Sequence, residues 1–151
     1  MDYSRIGFNF GMLNRRSQAY ISHACQPWNI RYSEYVILME LYIRDGCSQD
    51  ELARAMTTDK GLVARNIKTL EKKGLIRREQ DEKDRRFKYI YLTDSAFSLH
   101  EALLDVLKKW ILCITEGMDR ILIEQTIQGL QIAAANASKI NIENTKPDEE
   151  A

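Results

Sequence analysis

No run of apolar residues in this chain of 151 reaches the ~18 needed to cross a bilayer before charge interrupts it. The opening segment carries Asp2 and Arg5 and lacks the apolar stretch of a secretory signal, so the expected compartment is the cytoplasm. Cysteine is scarce. Cys25, Cys47 and Cys113 are odd in number and widely spaced, which matches neither a disulfide framework nor a zinc site, and each reads as a small buried or half-buried thiol. His23 and His100 stand alone, without partners at metal-ligand spacing. No paired carboxylates, no Cys/His or Ser/His constellation and no phosphate-cradling glycine loop occur, so the chain is not expected to be an enzyme or to need a cofactor or metal. Internal repeats and low-complexity tracts are missing too. Net charge is also absent, with 22 basic and 22 acidic residues.

What is present is charge that is unevenly placed. Between Lys60 and Lys88 stand eleven basic residues (Lys60, Arg65, Lys68, Lys72, Lys73, Arg77, Arg78, Lys83, Arg85, Arg86, Lys88) against five acidic ones, a local excess of six in a neutral whole. That is the footprint of a protein that meets phosphate with one face.

Apolar residues at Ile6, Phe10, Leu13, Tyr20 and Ala24 predict an amphipathic helix over about 4–24, ending before Pro27. Ser33 is the expected cap of a second helix. Its apolar residues (Val36, Ile37, Met39, Leu41, Ile43) point almost all round, which predicts a central buried helix stopping at Asp45-Gly46. Ser48-Gln49-Asp50-Glu51 is a capping box opening a short helix packed through Leu52, Ala53 and Met56. Thr57-Thr58-Asp59 then supplies a turn and a cap, and the helix from Lys60 to Lys73 shows Val63, Ile67 and Leu70 on one face. Gly74 ends it. Leu75–Glu79 and Phe87–Leu92 are strand-like, with residues 80–86 expected as an exposed loop. A long helix follows to about Glu116, apolar on two faces, then a last helix near 119–140 and a polar, acidic tail at 141–151 expected to be disordered. One small domain covers only one face of the long helix, so the other is expected to meet a second subunit.

Asp84-x-Arg86, separated by five residues from Leu92-Thr93, and Leu70-Glu71-Lys72-Lys73-Gly74-Leu75-Ile76 together resemble the wing signature and recognition-helix exit of the MarR family of winged-helix transcriptional regulators. The resemblance covers nearly the whole chain except the tail. It implies a mainly α fold with a small β-hairpin: a winged helix-turn-helix lobe (33–94) flanked by an N-terminal dimerisation helix and linker (1–32) and C-terminal dimerisation helices (95–140). It also implies a homodimeric regulator, expected to be a repressor, bound to double-stranded operator DNA with half-sites about one helical turn, ~10 bp, apart.

Residue by residue, Thr58, Lys60, Gly61, Leu62, Arg65 and Lys68 are the expected DNA contacts of the helix-turn-helix, and Lys83, Asp84, Arg85 and Arg86 those of the wing. Arg65 is suited either to a bidentate bond with guanine or to a phosphate clamp, whereas Lys60 and Lys68 suit phosphate. Arg86 matches the arginine the family inserts into a minor groove, with Asp84 as its orienter. The chain departs from the family where Ser or Thr commonly opens the recognition helix, since Gly61, Leu62 and Ala64 stand there. Leu62 then reads either as core or as a contact for a thymine methyl, and Gly61 as permitting close approach. Lys72, Lys73 and Arg78, taken singly, read as solubilising. The family commonly responds to small, often aromatic effectors, for which Tyr20, Trp28, Tyr32 and Tyr35 are the candidate contacts. Alternative readings are a winged-helix protein-interaction module and a thiol-based redox sensor using Cys25.

Overall fold

The computed structural model describes residues 2–81 and 88–141. Asp2 opens the first helix, α1 (Tyr3–Ala24), by accepting from the Arg5 amide at 3.1 Å. Pro27 cannot continue an α-helix, and the chain passes into one 3-10 turn (Gln26–Trp28) closed by Asn29 in the left-handed region.

The second helix, α2 (Tyr32–Ile43), is not capped by Ser33 as expected. Arg31 precedes the helix, and its amide donates to Glu34 Oε2 at 2.8 Å. A carboxylate accepts from a free N-terminal amide more strongly than a hydroxyl does, and it also suits the positive helix end. Ser33 lies inside the first turn and donates instead to Asn66 Oδ1 at 2.9 Å. The all-round apolar pattern of α2 has the predicted outcome along most of its length, with Tyr35, Ile37, Leu38 and Leu41 at most 3% exposed and α1, α3, α4, α5 and β3 packed around it, but Ile43 at its end is 77% exposed. Each such side chain contributes about 1.5–3 kcal/mol by leaving water.

After α2, Gly46 adopts φ +80°, and a Cβ there would stand 2.8 Å from the Tyr91 ring. This close turn makes a strand that the sequence reading did not include. β1 (Cys47–Ser48) pairs antiparallel with β3 (Lys88–Leu92), which also pairs with β2 (Ile76–Gln80), giving a sheet in the order β1-β3-β2 rather than a hairpin alone. Two residues are too short for an alternating pattern to show. The third strand is held by position, with Gly46 donating to the Ile90 carbonyl at 2.9 Å and the Leu92 amide donating to Asp45 at 2.7 Å.

The capping box forms as predicted. Ser48 accepts from the Glu51 amide at 3.3 Å, and Glu51 accepts from the Ser48 amide at 2.7 Å, which opens α3 (Gln49–Ala55). Asp59 caps α4 (Lys60–Lys72), and Gly74 leaves the helix at φ +70°. In β3 the side chains alternate, with Ile90 and Leu92 buried and Tyr89 and Tyr91 partly open. The fifth helix, α5 (Asp94–Ile114), buries Ala96, Leu103 and Val106 and leaves Phe97, Leu104 and Ile111 between 36% and 51% exposed. One apolar cluster runs from Ile21 and Cys25 through α2, α3, α4 and the sheet to Val106, so the described residues up to Ile114 form one compact unit. The described residues from 115 to 141 belong to the second, in which Asp119 caps α6 (Arg120–Ala137) by accepting from the Leu122 amide at 2.8 Å.

Candidate nucleic-acid interface

The basic face of α4 is outward because its other face has nowhere else to go. Val63, Ile67 and Leu70 are fully buried, and helical geometry then turns Lys60, Gly61, Arg65, Lys68 and Lys72 to solvent. Arg65 and Lys68 have no ion-pair partner among the described residues, whereas Lys60 meets Asp50 at 3.0 Å in an exposed pair. Such a pair is worth less than about 1 kcal/mol, so it yields easily to a phosphate. Leu62 is 39% exposed, neither core nor fully presented. At Gly61 a Cβ would meet Asp59 Oδ1 at 3.0 Å, so the missing side chain relieves the cap as well as opening the helix start. Thr58 is half-buried in the turn, its amide donating to the Ala53 carbonyl at 3.1 Å.

Two polar tethers join α4 to the start of α2, and sequence reading missed both. Asn66 is buried on the stripe of Val63, Ile67 and Leu70, where its Nδ2 donates to the Leu62 carbonyl at 2.9 Å and its Oδ1 accepts from Ser33. Lys73, read from sequence as solubilising, donates to Glu34 Oε2 at 2.6 Å and to the Asn29 carbonyl, with Glu34 only 1% exposed. The available signals were the position of Asn66, three residues after Val63 on the apolar face, and an acid three residues into α2. Arg78 likewise reads from sequence as solubilising, yet its guanidinium holds both oxygens of Glu71 and ties β2 to α4. That bond draws the Glu71 carboxyl below its ordinary range. Arg77 pairs with Glu79 and lies 4.8 Å over the Tyr91 ring. The wing contacts expected at Lys83, Asp84, Arg85 and Arg86 lie outside the described residues.

The four candidate aromatics have different surroundings. Tyr35 is in the core, its hydroxyl donating to the Leu103 carbonyl at 3.2 Å. Tyr20 packs on Trp110 with ring centroids 5.3 Å apart, and Trp28 is half-buried against the core. Tyr32 lines a cleft of about 350 Å³ with Gln18, Val36, Met56, Thr58 and Leu62. Cys25 is fully buried and its thiol is pushed up by desolvation, the reverse of what a redox-sensing thiolate requires, which removes the support for that alternative. No helix is long and apolar enough to cross a membrane among the described residues.

A sequence model described as MarR family matches residues 30–88. Among solved structures, a MarR transcriptional regulator from Methanosarcina mazei Go1 is similar at 30% identity over 89% of this chain and 96% of its own, with a TM-score of 0.84. A MarR-family regulator from Rhodococcus sp. RHA1 shares 24% identity, covering 89% and 95% of the two chains at TM-score 0.77. A putative MarR family regulator from Listeria monocytogenes, complexed with 26mer DNA, shares 19%, covering 86% and 87% at TM-score 0.81. The chain belongs to the MarR family, whose members are transcriptional regulators and not enzymes.

Proposed function

We propose that the protein is a homodimeric, sequence-specific regulator that binds double-stranded operator DNA in the cytoplasm, represses transcription there and is released by a small aromatic effector. The observation that carries DNA binding is the two-sided character of α4: one side fully buried, the other presenting Arg65 and Lys68 with no ion-pair carboxylate among the described residues. A helix so held can lie in a major groove, with Arg65 reading guanine or gripping phosphate and Lys68 on the backbone. The relative from Listeria monocytogenes, complexed with 26mer DNA, supports the same reading. The match of Asp84 and Arg86 to the wing signature adds a minor-groove contact. Dimerisation is supported by the open apolar faces of α1 (Phe8, Phe10), α5 (Phe97, Ile111) and α6 (Leu122, Leu130). Tyr32 and its cleft support the effector site, since Leu62 of α4 forms part of the same wall.

Selection from a pool of random duplexes, followed by fluorescence anisotropy across a salt series, tests this. A pseudo-palindrome with half-sites ~10 bp apart is expected, and Lys68→Ala should flatten the logarithmic salt slope by about 0.9. A chain that retains no duplex even at low salt would be acting instead as a protein-docking module.

A further inference from the structure

Beside the exposed face of α4 lies an open hollow of about 510 Å³, lined on the α4 side by Arg65, Lys68 and Lys72 and on the other by Arg31, which precedes α2. Four cations from two elements converge there, and none of the residues lining it is a carboxylate. The surrounding lobe behaves differently. Lys60 pairs with Asp50, Lys73 with Glu34, Arg78 with Glu71 and Arg44 with Glu40. In a chain with as many acids as bases, four like charges left together create a focused positive potential, and the repulsion among them is relieved when an anion enters.

Arg31 is also held in register with α4. Its amide donates to Glu34 Oε2, and the same oxygen accepts from Lys73 Nζ immediately beyond the end of α4. Its backbone therefore shares a buried carboxylate with the recognition helix, while its guanidinium remains at the surface. Ser33 and Asn66 close the floor of the hollow against each other at 2.9 Å, which leaves the cations as the groups free to meet a ligand.

We propose that this hollow receives a backbone phosphate of the bound duplex, with Arg31 as a DNA contact outside the recognition helix. The inference rests on the duplex-binding reading above. A planar guanidinium approaching from α2 grips a phosphodiester from the side opposite Lys68 and Lys72, so α4 is braced along its length and not only at its start. Such a contact positions the helix without reading sequence.

The test measures the affinity of the full chain for its selected duplex and for a random duplex, by anisotropy from 50 to 200 mM salt. Arg31→Ala should lower the logarithmic salt slope by about 0.9 on both duplexes, equivalent to about threefold less affinity lost across that range. Arg31→Lys, which keeps the charge, should restore the slope, and Lys109→Ala, on α5, should leave it at the wild-type value. A wild-type slope in Arg31→Ala, with duplex binding intact in the parent, overturns the assignment of Arg31 alone. Absence of salt-dependent duplex binding in the parent overturns the functional reading beneath it.

Discussion

Thr57 holds φ at 48°, in the left-handed region, between α3 and α4. A β-branched side chain there costs about 1–2 kcal/mol, whereas Asn tolerates the conformation through its short polar side chain. Thr57→Asn is therefore expected to raise stability by about 0.5–1 kcal/mol, read as an increased urea midpoint at unchanged m-value. An unchanged or lower midpoint would show that the strain is relieved elsewhere. At this scale the sequence showed that residues 57–59 turn and that Asp59 caps. It did not show which residue takes the unfavourable backbone angle, because that depends on how α3 and α4 pack. The buried Glu34 and Lys73 were hidden for a related reason: each is an ordinary surface residue until a partner 39 positions away is brought alongside.

Between elements, the bond from Arg78 to Glu71 couples the wing strand β2 to the last turn of α4. Hydrogen bonding to Arg78 lowers the Glu71 carboxyl from its ordinary value of 4.5, so folding favours the ionised form. Its contribution is fully present above that value and is lost as pH falls through the lower, folded one. Replacing Glu71 with Gln should cost less than about 1 kcal/mol at pH 7, since the pair is partly open to solvent. The gap to wild type should then close as the medium is acidified below 4.5 in urea titrations. A gap independent of pH would mean that the carboxylate charge plays no part in the coupling. The helices themselves were legible from their caps and periodicity, and α4 emerged almost to the residue. The strand β1 was not, since its pairing with β3 spans more than forty positions and leaves no local pattern.

For the whole molecule, the open side of α5 decides between a chain that is complete alone and one that needs a copy of itself. Phe97, Leu104 and Ile111 recur at helical spacing on a face that the residues of this chain leave between 36% and 51% exposed. If a second copy covers that face, Ile111→Asp should shift sedimentation from dimer to monomer at micromolar protein and weaken duplex binding by more than tenfold, because two half-sites are then no longer read together. A dimer that survives the substitution would place the interface elsewhere. The two apolar faces of α5 were readable from sequence, but which of them turned inward was not: Ala96, Leu103 and Val106 became core only when α2 and the sheet were in place.

Local chemistry sufficed for the order of helices, their caps at Ser48 and Asp59, the stop at Gly74 and the uneven distribution of charge, because each depends on neighbours within a few positions. Only the folded chain determined that Arg78 and Lys73 are tethers while Arg65, Lys68 and Arg31 have no ion-pair partner among the described residues, since pairing a cation requires a carboxylate brought close by packing.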